Sequence, residues 1–160
     1  MNPALQIAAM SAALLGGAVV ALGVFVGNPF AEAPAYRLRP YDAPTVAMGE
    51  AVYARNCASC HGARLEGQPN WKQRDASGRL PAPPHDASGH TWHHPDEVLF
   101  QITKYGVARS AGLQSYESSM PIYDGVLSDA EIVAVLSWIK AQWPPNIRAK
   151  HDSINQTAAR

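Results

Sequence analysis

The five residues Cys57-Ala58-Ser59-Cys60-His61 constrain the fold of this chain more than any other feature of its sequence. Two thiols three positions apart can each add across one vinyl group of a haem, and the adjacent imidazole can then bind the iron. The chain has only two cysteines, and both lie in this motif. The motif therefore predicts one haem c, attached covalently through Cys57 and Cys60, with His61 as an axial ligand of the iron.

Three other chemistries also use a Cys-x-x-Cys pair. A thioredoxin-like redox pair opens the helix of a βαβ unit, whereas Cys57 and Cys60 follow a predicted helix. A structural zinc site requires four ligands, and the chain has no second cysteine pair. A plain disulfide is chemically possible outside the cytosol, but it gives His61 no role.

Prolines and glycines restrict the rest of the chain to short helices and long loops. Thirteen prolines and twelve glycines exclude a simple bundle of long helices. The apolar spacing predicts three helices, at residues 45–56, 96–105 and 128–143. Thr45 and Asp96 are the predicted N-caps of the first two, and Ser128 with Glu131 forms a capping box for the third. Loops of this kind offer few side chains for a core, and a large apolar cofactor would fill that deficit.

A second iron ligand must come from a segment distant from the attachment site. Methionine is a common partner of histidine at irons that carry electrons, because its thioether favours ferrous iron. Outside the apolar start the chain has two methionines. Met48 precedes Cys57 by nine residues on the same predicted helix, so we expect it to pack in the core. Met120 lies in the loop before the last helix and is the predicted ligand.

These features together resemble a class I c-type cytochrome over about residues 45–144. The matching parts are Met48 to Tyr53, Cys57 to Gly62, Met120-Pro121 and the helix 128–143. The resemblance implies a mainly α, small cytochrome c fold, in which three or more short helices and long loops surround one haem. It implies that the first and last helices cross closely, with Gly49 on one and an aromatic residue near Trp138 on the other. It also implies that a proline carbonyl from residues 81–84 accepts the Nδ1 proton of His61, with the choice within that run left open.

The start of the chain is long and apolar enough to cross a bilayer. Residues 7–26 carry Ser11 as their only polar side chain, and twenty helical residues span about 30 Å. A cleaved secretory signal is the alternative, because Ala31-Glu32-Ala33 has the small-x-small form of a cleavage site. The predicted organisation is an N-terminal transmembrane helix at residues 1–30, a proline-rich tether at 31–44, a cytochrome c domain at 45–145 and a loose polar tail at 146–160.

Four histidines, His85, His90, His93 and His94, cluster within ten residues around Trp92. Such a cluster could bind copper or zinc, or supply a second histidine to the iron. The residues have no regular spacing, so loop and surface hydrogen bonding is the favoured interpretation.

The resemblance implies a carrier of single electrons and not an enzyme. We expect redox complexes of the membrane as partners, the lipid bilayer as the anchor site, and a position at the periplasmic face of a bacterial inner membrane. Thirteen basic residues are balanced by thirteen acidic ones, so no nucleic-acid partner is expected, although Lys72, Arg74, Arg79, Lys104 and Arg109 could form a basic rim for an acidic protein. A five-coordinate haem enzyme, such as a peroxidase or gas-binding protein, and a cytochrome subunit of an oxidase or dehydrogenase are the alternatives.

Overall fold

The computed structural model describes residues 36–160, and this part of the chain is mainly helical without any β-strand. Its helices are α1 (Ala43–Asn56), α2 (Ala58–His61), α3 (Asp96–Tyr105), α4 (Val107–Ser110), α5 (Asp129–Gln142) and α6 (Pro145–Ala158). A short 3-10 turn, Thr91–His93, lies in the loop between α2 and α3. The predicted mainly α class is confirmed, as are three predicted helices, which correspond to α1, α3 and α5.

Helix α1 begins two residues earlier than predicted, and the prediction of Thr45 as its N-cap is wrong. The N-cap is Asp42, whose carboxylate accepts a hydrogen bond from the Thr45 backbone N–H at 3.2 Å. Thr45 therefore lies inside the first turn. Pro44 lies in that turn as well, where the missing proline N–H leaves no helical hydrogen bond unmade.

Helices α1 and α5 cross in close contact at Gly49. A Cβ built on Gly49 would overlap the Ala134 carbonyl oxygen and lie 2.6 Å from the Ala134 carbonyl carbon and 2.8 Å from Trp138 Cβ. Only a residue without a Cβ permits this approach. The crossing implied by the resemblance is therefore present, with Gly49 and Trp138 at the contact.

Helix α5 forms the centre of the core and begins as the sequence predicts. The Ser128 hydroxyl accepts from the Glu131 N–H, and the Glu131 carboxylate accepts in return from the Ser128 N–H. Most of α5 is buried, and it packs with apolar residues of α1 and α3 in one core. The core members most relevant to the site are Val52, Tyr53, Phe100, Ile132 and Trp143.

Asp96 begins α3 but does not cap it, which corrects a further prediction. Pro95 occupies the N-cap position, and the Asp96 side chain is buried. One carboxylate oxygen accepts from the Leu38 backbone N–H at 2.9 Å, and the other accepts from the Asn155 side-chain amide at 3.0 Å. Asp96 therefore joins the segment before α1 to α6. Gly106 follows the last residue of α3 as its C-cap.

The loose polar tail predicted at residues 146–160 is instead helix α6. Pro145 lies in its first turn, so the Pro144-Pro145 pair both ends α5 and begins α6. Ile147 and His151 are buried on one side of α6. The His151 ring is fully buried, with Nε2 3.0 Å from the His94 carbonyl oxygen. This polar contact holds a helix that hydrophobic spacing alone does not reveal.

The predicted transmembrane helix at residues 1–30 lies outside the residues that the structure describes, as do residues 31–35 of the predicted tether. Within residues 36–160, no helix combines the length and the apolar character needed to cross a bilayer.

Candidate functional site

The two cysteines lie where α1 gives way to α2. Cys57 follows the last residue of α1 and Cys60 lies within α2, and neither thiol forms a disulfide. Cys57 is half-buried and Cys60 is exposed. Burial, with a smaller contribution from Cys60, raises the pKa of the Cys57 thiol to about 11, so this thiol is protonated at neutral pH. Both sulfurs thus lie on adjoining turns of the chain, and neither is used in a disulfide.

His61 ends α2 and has a defined orientation. Its side chain is buried, and Nδ1 lies 2.8 Å from the Pro83 carbonyl oxygen. A carbonyl oxygen can only accept, so Nδ1 carries the proton and Nε2 keeps the lone pair that a metal requires. Burial lowers the pKa of His61, and the bond to Pro83 partly opposes that shift. Pro83 is therefore the member of the 81–84 run that supplies the carbonyl.

Close backbone packing places Pro83 beside His61. A Cβ on Gly67 would lie 2.7 Å from the Pro83 carbonyl carbon, and Gly67 has a φ of +67°, which also favours glycine. Leu65 likewise has a positive φ of 69°, and its carbonyl accepts from the His85 N–H at 2.8 Å. The loop after His61 is thereby attached to the loop that carries Pro83. Gly67 is not among the residues predicted from the sequence, because a glycine in a polar loop indicates a turn but does not identify the segment that it contacts.

His85 lies directly against His61. The two ring centroids are 3.9 Å apart with an interplanar angle of 27°, which is a stacked arrangement. His85 Nδ1 lies 2.8 Å from Thr91 Oγ1, and the His85 carbonyl accepts from Trp143 Nε1 at 2.7 Å. Burial, followed by the positive charges that neighbouring histidines would carry, lowers the pKa of His85 well below its usual value.

The loop that carries Met120 is attached to the end of α1. Met120 is half-buried and packs against the core, and its backbone N–H donates to Ser118 Oγ at 3.0 Å. Three residues later, the Tyr123 hydroxyl donates to the Asn56 carbonyl at 2.6 Å, directly before Cys57. Burial, with smaller contributions from the two cysteines, raises the pKa of Tyr123. The segment after Met120 thus lies beside the attachment motif.

Met48 does not pack in the core as predicted. It lies on α1 and is 39% exposed, because the face of α1 that meets α5 is the one carrying Gly49, Val52 and Tyr53.

The remaining histidines of the cluster pack against tryptophans. His93 stacks on Trp92 with ring centroids 3.6 Å apart, and His90 stacks on Trp71 at 5.4 Å. His90 and His94 meet edge to face at 5.5 Å. Among residues 36–160, no group of three or more histidine, cysteine, aspartate or glutamate side chains is arranged to hold a metal ion.

Two of the five basic residues that could form a docking rim make ion pairs within the molecule. Lys104 pairs with Asp129 at 2.5 Å, and Arg79 pairs with Glu117 at 3.2 Å. Two of the five candidate charges are therefore matched by carboxylates and contribute less to a positive surface.

The groups around the motif fit a covalently attached haem. Two free thiols lie on adjoining turns, and a buried imidazole has its Nδ1 proton committed to Pro83, which leaves Nε2 for iron. Cys57 and Cys60 would hold the ring, and His61 would bind the metal.

The chain is similar to a known protein family over most of its described residues. The model described as cytochrome C oxidase, cbb3-type, subunit III, matches residues 44–139, which is more than half of the chain. No curated protein and no solved structure matches it. The matched residues include the motif, α1 without its first residue, α3 and most of α5. The chain belongs to the family of the cbb3-type cytochrome c oxidase subunit III, and its matched region is a class I c-type cytochrome domain with covalently bound haem c.

Proposed function

We propose that this protein carries single electrons to or from a respiratory or photosynthetic complex of the membrane, with His61 and Met120 as the two axial ligands. The bound haem supplies one-electron exchange between ferric and ferrous iron. The observation that carries the proposal is the attachment of the Met120 loop to the end of α1 through Tyr123 and Asn56. This hydrogen bond holds the segment that carries the Met120 thioether beside the motif, although the two are distant along the chain.

The protein residues then have three tasks. His61, oriented by Pro83, presents Nε2 to the metal. Met120 would be the second protein ligand of the iron, which would leave no open site for a substrate and would favour the reduced state. The crossing of α1 and α5 at Gly49 holds α1, and with it the attachment motif at its end, against the core.

Replacement of Met120 tests this function. Met120→Ala should remove the sulfur-to-iron charge-transfer band of the oxidised protein, lower the reduction potential and let carbon monoxide bind the reduced protein. The matched control is Met48→Ala, because Met48 is a 39% exposed methionine on α1. That variant should keep the band, the potential and the resistance to carbon monoxide of the wild type.

The opposite result would favour the five-coordinate enzyme. If the wild type lacks the band, or binds carbon monoxide as readily as Met120→Ala, then Met120 is not a ligand and the carrier proposal fails. A histidine of residues 85–94 would then be the candidate acid-base group.

A stable place in an oxidase complex is the second candidate, and the family match favours it because the matching family is described as an oxidase subunit. Purification from membranes in mild detergent separates a subunit from a free carrier. A subunit should co-migrate with oxygen-reducing activity, whereas a free carrier should separate from it.

We propose that the domain lies in the periplasm, anchored to the bacterial inner membrane by residues 7–26. N-terminal sequencing tests the anchor, since a mature chain beginning near Pro34 would exclude it.

A further inference from the structure

His61 has a second neighbour besides the Pro83 carbonyl. The hydrogen bond to Pro83 fixes the position of Nδ1, but hydrogen bonds tolerate a broad range of angles and leave the plane of the imidazole loosely determined. The His85 ring lies over one face of that imidazole, with 3.9 Å between centroids. A flat ring at this distance restricts rotation of the His61 side chain about its own axis.

His85 is itself held by three contacts, so it can act as a rigid neighbour. Its N–H donates to the Leu65 carbonyl at 2.8 Å, and its carbonyl accepts from Trp143 Nε1 at 2.7 Å. Its side-chain Nδ1 lies 2.8 Å from the hydroxyl of Thr91, which is a buried residue. Backbone and ring are thus both fixed against the ligand.

We propose that His85 is a positioning residue for His61: its ring, held by Thr91, sets the plane of the ligating imidazole and lowers the reduction potential of the site. The second effect follows from polarity. Oxidation leaves an additional positive charge on the iron and its ligands, and a ring with polar nitrogen atoms stabilises that charge better than a side chain without polar atoms does. The proposal rests on the assignment of His61 as an iron ligand.

Two substitutions at position 85 separate these effects. His85→Leu removes both the flat ring and its polarity, so it should raise the reduction potential and change the g values of the oxidised protein in electron paramagnetic resonance. His85→Phe keeps a flat ring without polar atoms, so it should raise the potential while leaving the g values close to those of the wild type. The matched control is His93→Leu, which removes an exposed histidine of the same loop and should change neither quantity.

A merely structural role would predict a different pattern. His85→Leu would then lower the melting temperature while the potential and g values stayed at those of His93→Leu, and that result would overturn the proposal. If His85→Leu does not fold, Thr91→Val decides, because it frees the His85 ring without changing the stacked residue. Altered g values in Thr91→Val support the proposal, and unaltered ones refute it.

Failure of the carrier function is distinguishable from failure of this inference. The change of potential in His85→Leu is expected whether or not Met120 binds the iron, because His85 contacts His61. The charge-transfer band and carbon monoxide binding report on Met120 and do not depend on His85.

Discussion

Replacing Gly49 with alanine is predicted to destabilise the protein, although alanine is the better helix former. Helix propensity alone favours alanine over glycine by about 1 kcal/mol. The added Cβ would overlap the Ala134 carbonyl oxygen and lie 2.6 Å from the adjoining carbonyl carbon. It would also lie 2.8 Å from Trp138 Cβ. Helix propensity therefore predicts that Gly49→Ala stabilises the protein, whereas packing predicts that it destabilises the protein.

The contact distances give the size of the packing effect. Carbon atoms in contact lie about 3.5 to 4.0 Å apart, so α1 and α5 must separate by roughly 1 Å to accept the methyl group. The nearest atoms belong to the backbone and to a Cβ, so no rotamer change can relieve the overlap. Overpacking of this kind costs about 3 kcal/mol at the upper end of its usual range, and subtracting the propensity gain leaves about 2 kcal/mol. For a domain of this size that corresponds to a fall in melting temperature of about 8 °C.

Urea unfolding of the haem-bearing protein, followed by circular dichroism, measures the effect. The control is Ala51→Gly, at an exposed position of α1, which reports the propensity contribution in the same helix. If Gly49→Ala is as stable as the wild type, or more stable by the amount that Ala51→Gly loses, the crossing does not require glycine and the reasoning is wrong.

Two further predictions concern α6 and the surface. Burial is the chief cause of the lowered pKa of His151, so the neutral ring contributes stability above the ordinary histidine pKa of about 6.5, and this stability is lost as the pH falls towards the folded-state pKa. Urea unfolding between pH 7 and pH 5 should therefore show a steeper loss of stability for the wild type than for His151→Gln. Equal slopes for the two proteins would contradict this prediction. Asp152→Asn should cost about 2 kcal/mol, because it weakens a 2.6 Å charge-assisted bond to the buried ammonium of Lys140. Glu117→Gln, at the exposed pair with Arg79, should cost less than about 1 kcal/mol, and equal losses for both variants would show that burial of the cation does not matter.

The sequence was sufficient where local chemistry determines the structure. The Cys-x-x-Cys-His motif predicts haem c on its own, because few chemistries use two thiols and an imidazole at that spacing. The capping box of α5 is equally local, since Ser128 and Glu131 satisfy each other's backbone N–H groups. The role of Gly49 required the family resemblance, because a glycine inside a helix does not identify the residue that it contacts.

The sequence was insufficient where polar contacts join distant segments. Helix α6 was predicted to be a loose tail because its apolar residues are few, yet His151 is fully buried against the His94 carbonyl. A buried polar side chain with a main-chain partner leaves no hydrophobic period to detect. The prediction that Asp96 caps α3 is wrong for the same reason. An aspartate at the start of a helix usually caps that helix, whereas the Asp96 carboxylate accepts hydrogen bonds from Leu38 and Asn155.

The surroundings of His61 could be only partly predicted, for a similar physical reason. The Pro83 carbonyl that orients His61 and the His85 carbonyl that accepts from Trp143 are main-chain atoms, which every residue possesses. Neither contact requires a particular side chain on the acceptor, so the sequence narrows the first to a run of prolines and does not reveal the second. Trp143 lies at the junction of α5 and α6, and its indole N–H donates to the His85 carbonyl. The His85 ring in turn stacks on the ring of His61. The orientation of His61, the proposed iron ligand, therefore depends on the end of α5, which lies far along the chain from the Cys57–His61 motif.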